Sequence, residues 1–161
     1  MTTLEQDRLL RSVRDAIVEA MDATRAMEQT VRLLKDAVAH YSWVGVYVLE
    51  GDVLVLGPFV GKPSPHTRIP VGQGICGAAA AERATIVVED VKADARYLAC
   101  SLETQSEIVV PIMRDGRVLG EIDIDSDRPA AFDAADRGLL EAVAALLADR
   151  LSESSPAGQT R

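Results

Sequence analysis

Two cysteines, Cys76 and Cys100, are the only thiols in the chain. They stand with several acids, two aromatic residues and a glycine-rich loop. Cys76 lies in Arg68-Ile69-Pro70-Val71-Gly72-Gln73-Gly74-Ile75-Cys76-Gly77, ahead of the small-residue run Gly77 to Ala81. The glycines permit a tight backbone, and the small residues read as a helix packed closely on something flat. A thiol near a helix N-terminus is placed to ionise. The same residue also reads as a small buried apolar side chain. Cys100 sits in Asp94 to Ser101, which has no clean period and is expected to be a loop. Packing alone explains a loop cysteine less well. Further on, Arg117 to Ser126 alternates, with Ile122 and Ile124 on one face and Glu121, Asp123 and Asp125 on the other. That row reads either as a solvated face or as a functional one. Aspartate is a poor strand former, and crowded acids could hold an ammonium group or act as proton donors with raised pKa values. Trp43, Gly45 and Tyr47 share a face of an earlier strand. The two rings are either core or the walls of a small pocket, with Gly45 leaving room between them.

The elements that must position these groups follow from periodicity. Leu9, Leu10, Val13, Ile17 and Met21 fall at helical spacing between Thr3 and Met21, and Met27, Val31, Leu34 and Val38 do so between Thr24 and Ala39. His40 is expected just past that helix, facing water. Trp43 to Glu50 reads as a strand, Gly51-Asp52 as a turn, and Val53 to Gly57 as the returning strand. Proline and glycine make Pro58 to Pro70 mostly loop, with His66 inside it. Thr85 to Val88 is a short strand, and Glu89 to Ser106 a long irregular connection of the kind that often binds ligands. Glu107 to Met113 and Arg117 to Ser126 form a hairpin about Asp115-Gly116. Asp133 is expected to cap a final helix from Ala134 to about Leu151. The tail Ser152 to Arg161 is expected to be disordered. The fold class is therefore α+β. A single domain over residues 1–151 is expected, its antiparallel sheet carrying helices on one side and loops on the other.

The chain has 161 residues, is 48% hydrophobic and carries a formal net charge of −8. That balance argues against nucleic acid or an anionic membrane as partner. No apolar run is long enough to span a bilayer, and the polar N-terminus lacks a signal-peptide core. A soluble cytoplasmic protein is expected. Two cysteines and two histidines, His40 and His66, far apart in sequence, do not suggest a zinc site. No phosphate-binding loop is present.

Taken in order, several stretches resemble one family. They are Trp43 with Tyr47, Leu56-Gly57-Pro58-Phe59, Gly61-Lys62, Arg68 to Gly72 and Gly74-Ile75-Cys76-Gly77. Glu89-Asp90-Val91, Ala99-Cys100, Ser106-Glu107-Ile108-Val109 and Asp123-Ile124-Asp125-Ser126 complete the set. The chain resembles a GAF domain and, within that group, the free methionine-(R)-sulfoxide reductases. The resemblance implies a cytosolic homodimer that reduces the free amino acid and is recycled by an external thiol reductant such as thioredoxin, with no bound cofactor. By position it implies Cys100 as nucleophile and Cys76 as a second active-site cysteine that could resolve the oxidised form. It implies Glu107, Asp123 and Asp125 as substrate-binding acids, and Trp43 and Tyr47 as walls near the substrate methyl group. One feature departs from the family pattern. Members usually carry a further cysteine before the Arg-Ile-Pro sequence, where this chain reads Lys62-Pro63-Ser64-Pro65-His66-Thr67. Recycling would then pass through Cys76 or directly through an external thiol. His66, if close, could act as a cation beside Cys100. Two other functions compete: a GAF domain that binds a small molecule or senses oxidant without turnover, and a dimerisation module built on its helices.

Overall fold

The computed structural model describes residues 1–99 and 101–154. Cys100, the expected nucleophile, lies outside the described residues, as does the tail beyond Ser154. Helices α1 (Thr3–Glu19) and α2 (Ala23–Ala37) come first, then strands β1 (Trp43–Glu50), β2 (Val53–Val60) and β3 (Arg68–Pro70). Helix α3 (Gly74–Glu82), β4 (Ile86–Val88), a single 3-10 turn (Val91–Ala93), β5 (Ser106–Arg114), β6 (Arg117–Ser126) and α4 (Ala134–Ser154) complete the order. The strands form one sheet in the order β3-β2-β1-β6-β5-β4, and every neighbouring pair is antiparallel. This is the α+β arrangement expected from the sequence.

The helix ends follow their capping residues. Thr2 and Glu5 form a reciprocal capping box at the start of α1. Asp22 accepts from the Arg25 N–H at the start of α2. At α4 the expected cap is present: Asp133 Oδ1 accepts from the Asp136 N–H at 2.9 Å, and Asp136 Oδ2 accepts in return from the Asp133 N–H at 3.0 Å. Helix α1 has no basic residue in its last turn. Arg150 of α4 supplies one, donating to the carbonyls of Ile17 and Ala20. Helix α4 continues past Leu151 to Ser154.

Three sequence expectations change. Pro58 to Pro70 is not loop at its two ends: β2 runs to Val60 and β3 occupies Arg68–Pro70, with residues 61–67 between them. Pro58 is tolerated because the β1–β2 register slips there. Gly57 and Pro58 stand opposite the single residue Val46, a bulge where the ladder needs no proline N–H. His40 does not simply face water, because its Nε2 lies 3.0 Å from Asp136 Oδ1, which also accepts from the Tyr41 hydroxyl at 2.8 Å. Two residues past α2 are thus tied to the start of α4. The solvated-face reading of β6 also fails, since Glu121, Asp123 and Asp125 are all buried.

Each sheet face has its own core. On one, α1, α2 and α4 cover Val44, Val46, Ile108, Val110, Ile122 and Ile124, with Leu34, Leu140 and Leu147 reaching in from the helices. On the other, α3 and the connecting segments cover Trp43, Tyr47 and Val109, packed with Leu54, Ile75 and Cys76. Gly77 allows this close packing. A Cβ there would lie 2.6 Å from the Pro70 carbonyl oxygen, so no larger residue fits between α3 and the end of β3.

Candidate active site

The antiparallel registers build the site in rows. Asp125 of β6 stands between Trp43 of β1 and Glu107 of β5; Asp123 stands between Gly45 and Val109; Glu121 stands between Tyr47 and Pro111. Directly opposed residues in antiparallel strands share a face. Both aromatic residues and the four acids expected or suspected from the sequence therefore meet on the α3 side. Exposure is 5% for Glu107, 2% for Asp123, 4% for Asp125 and 0% for Glu121.

Cys76, in the first turn of α3, points down onto these rows. Its Sγ and carboxylate oxygens of Glu107 and Asp123 all lie within 4.8 Å of one another. The thiol is itself buried. Burial, followed by the negative fields of Asp123, Glu121, Glu107 and Asp125, pushes its pKa well above the ordinary thiol range. The ionised form that a helix N-terminus would favour is thus disfavoured here. A partial helix charge, screened within a turn, is outweighed by loss of solvent and by four neighbouring acids. Cys76 is a buried thiol, the plainer of its two sequence readings.

The acids respond to the same burial. The pKa of Asp125 is driven well above the carboxylate range, first by loss of solvent and then by the charge of Asp123. Glu121 is driven well up for the same two reasons. Asp123, in the middle, is also raised by burial, but hydrogen bonds from Glu107 and Cys76 hold it back. All three acids of the row are thus pushed toward the protonated form.

Trp43 is fixed on every side. Its Nε1–H donates to the Lys62 carbonyl at 3.0 Å, and its ring stacks on Phe59 with centroids 5.7 Å apart. A Cβ on Gly45 would come within 2.3 Å of the indole, and one on Gly61, whose φ is 137°, within 2.5 Å. The space left by Gly45 is therefore taken by Trp43 itself and is not a gap between Trp43 and Tyr47. Tyr47 turns away to donate to the His66 carbonyl at 2.7 Å.

Two small hollows result instead of one pocket. The first, about 80 Å³, is lined by Trp43, Asp125, Lys62, Ser101 and Thr104 among others. The second, about 10 Å³, lies among Tyr47, His66, Cys76, Leu98, Glu107 and Asp123. The second has about the room of one water. The connection between β4 and β5 closes them from above. His66 Nε2 meets the Ala99 carbonyl at 3.1 Å, Lys62 pairs with Glu103 at 3.1 Å, and Leu98 sits on Gly74 so closely that a Cβ there would be 2.7 Å away. Ala99 and Ser101, the described neighbours of Cys100, both belong to this cover. Leu98, Ser101 and Thr104 carry no site signal in the sequence, because loop residues have no period that marks where they fold. Glu121 was visible in the strand alternation, although nothing there distinguished its depth.

The comparisons agree with this geometry. The GAF domain family matches residues 7–151. The free methionine-R-sulfoxide reductase of Escherichia coli (strain K12) is 40% identical over 121 residues, spanning 74% of this chain and 73% of that protein. The structure of the free methionine-R-sulfoxide reductase from Neisseria meningitidis, in complex with its substrate, superposes with a TM-score of 0.89 at 37% identity, covering 96% of this chain and 93% of that one. The type II free methionine-R-sulfoxide reductase from Thermoplasma acidophilum superposes with a TM-score of 0.79 at 43% identity, covering 81% and 93%. The buried acid row beneath Trp43 and Tyr47 thus sits in a chain that belongs to the GAF family and, within it, to the free methionine-R-sulfoxide reductases.

Proposed function

We propose that this protein reduces free L-methionine (R)-S-oxide to L-methionine, with Cys100 as the nucleophile. The observation that carries the reading is the row Glu107, Asp125, Asp123, buried beneath an indole and a phenol and next to a segment that runs through position 100. Among the described residues one carboxyl oxygen each of Asp123 and Asp125 is buried without a partner, and such a row is costly to fold around. A small cationic ligand group gives it a reason to exist, and the ammonium of a free amino acid supplies one. A methionine side chain within a longer peptide would bring no such charge.

In this reading Asp123, Asp125 and Glu107 hold the ammonium, and Trp43 and Tyr47 bound the methyl end. The Cys100 thiolate attacks the sulfoxide sulfur, and the S–S bond of that adduct breaks together with the S–O bond to methionine as the oxygen moves to the cysteine sulfur. The oxygen passes to Cys100 as a sulfenic acid, so the sulfoxide gains two electrons and the cysteine loses two. A proton from the acid row reaches the transferred oxygen. Recycling follows one of two routes: Cys76 displaces water to form a disulfide that a thioredoxin-like dithiol reduces, or an external thiol attacks the sulfenic acid directly. The buried, un-ionised state of Cys76 favours the second route. Leu98 and Thr104 of the cover each line one of the two hollows. The protein acts in the cytoplasm as a homodimer, with no nucleic-acid or membrane partner. The charge of −8 disfavours nucleic acid or an anionic membrane as partner, and no helix among the described residues is long and apolar enough to cross a membrane.

The test is release of methionine from the free R epimer in one turnover without reductant, with the S epimer as control. One methionine per site is expected from the R epimer, together with a dimedone-trapped sulfenic acid on Cys100. Binding of either compound, read as a thermal shift, with no methionine released would instead mark a sensor.

A further inference from the structure

Cys76, Glu107 and Asp123 meet where the first turn of α3 lies over β5 and β6. The Cys76 Sγ and one carboxylate oxygen from each acid all lie within 4.8 Å of one another. None of the three residues is more than 5% exposed. Together they line the smaller hollow, about 10 Å³, which is the room of one water or one ion. Asp123 Oδ1 is buried with no hydrogen-bond partner among the described residues. No lysine or arginine lines this hollow. The negative charge gathered there therefore has no basic side chain to answer it.

A substrate ammonium answers the two acids but leaves the thiol without a use. One sulfur and two carboxylate oxygens converging on a single point suit a borderline divalent metal ion. Zn²⁺ binds cysteine sulfur at about 2.3 Å and carboxylate oxygen at about 2.0–2.2 Å, in a tetrahedron. Those lengths put the ligand atoms about 3.4–3.6 Å apart, so side-chain shifts of about an ångström complete the site from where the three atoms stand. Mg²⁺ and Ca²⁺ call for more oxygen ligands than this hollow offers, and a thiolate selects against both. Two cysteines and two histidines spread along the sequence do not suggest such a centre, because its other ligands are carboxylates that only the sheet register brings beneath α3. We propose that Cys76, Glu107 and Asp123 form a Zn²⁺ site and, resting on the reductase reading above for its consequence, that the metal inhibits the enzyme by competing with the substrate ammonium. One Zn–S and two Zn–O bonds form, the protons held by the thiol and the carboxyls leave to solvent, and nothing is oxidised or reduced. A water takes the fourth position. Glu107 and Asp123 are two of the three acids assigned to the ammonium, so metal and substrate exclude each other.

The experiment titrates the reduced protein with Co²⁺, which stands in for the spectroscopically silent Zn²⁺ and shows a sulfur-to-metal charge-transfer band when a thiolate binds it. One Co²⁺ per chain with that band is expected, displaced by Zn²⁺ and by free methionine and unaffected by excess Mg²⁺. The band should persist in Cys100→Ser and vanish in Cys76→Ala. Asp123→Asn keeps the thiol and the side-chain size, and should weaken binding by at least about tenfold, the least that is lost even with an outer partner of a ligand. In single-turnover methionine release without reductant, free Zn²⁺ at about ten times its Kd should raise the half-saturating substrate concentration about tenfold and leave the maximal rate unchanged. No band in the wild type, a band that survives Cys76→Ala, or unchanged affinity in Asp123→Asn overturns the site. A loss of rate that excess substrate does not restore overturns the competition. A band in a wild-type protein that releases no methionine overturns the reductase reading, and the inhibition with it, while the metal site stands.

Discussion

The two faces of one strand, β6, carry opposite chemistry at the same burial. Ile122 and Ile124, both 0% exposed, sink into the core made by α1, α2 and α4. Glu121, Asp123 and Asp125, no more than 4% exposed, sink into the core beneath α3. The first face gains free energy from every methylene it hides. The second gives it up, because carboxyl groups lose water and find few partners. A fold under selection for stability alone would make both faces alike. The stability of the first face is what makes the second face tolerable, and the acids stay where a ligand or a proton can use them.

This contrast can be broken from either side. The largest effect should come from Cys100→Ser, which removes the proposed nucleophile. Turnover should fall by at least about a thousandfold, in line with other catalytic nucleophiles, measured as methionine released. A smaller effect, of a different kind, is expected on the helix face. Ile124→Ala should cost about 2–5 kcal/mol of stability, seen in denaturant titration, with activity per folded molecule retained. Its neighbour Asp125→Asn should do the reverse. kcat/KM should drop by about ten- to a hundredfold, the size expected for a charge-assisted contact, with stability kept or raised.

The smallest effect sharpens the comparison through pH. The raised pKa of Glu121 means that the folded chain holds a proton which the unfolded chain has released once pH exceeds the ordinary glutamate value, about 4.3. Stability is therefore lost as pH rises through that window. Glu121→Leu should remove the loss and raise Tm by a few degrees at pH 8, on the scale of about 1–4 kcal/mol seen when buried ionic groups are replaced by apolar ones. The gain attributable to ionisation should fade toward pH 4. An equal gain at both pH values would mean that Glu121 costs stability through packing alone.

Much of this arrangement was legible in the chain. The strand limits of β1 and the Asp115-Gly116 hairpin were written in alternation and in turn residues, which act locally. Asp115 and Gly116 adopt positive φ, 51° and 74°, as such a turn demands. Alternation on β6 put its three acids on one face, because a side-chain period of two leaves no other choice. Two cysteines set among family-like stretches carry the resemblance to the reductases in the sequence itself. The place of Pro58 within a strand is not legible there, since the bulge that accommodates it depends on how β2 pairs with β1.

Tertiary packing decided the rest. Whether the acid face meets water or α3 is not a property of β6, and burial of Glu121, Asp123 and Asp125 follows from where α3 comes to lie. The ionisation of Cys76 turned on the same placement, since a thiol senses the charges around it in space and not its neighbours along the chain. Trp43 filled the space that Gly45 left, so one imagined pocket became two hollows, an outcome set by a side-chain direction that spacing does not encode. Local pattern fixes which residues share a face; only the packed chain fixes what that face confronts, and the chemistry of a buried acid or thiol depends on the latter.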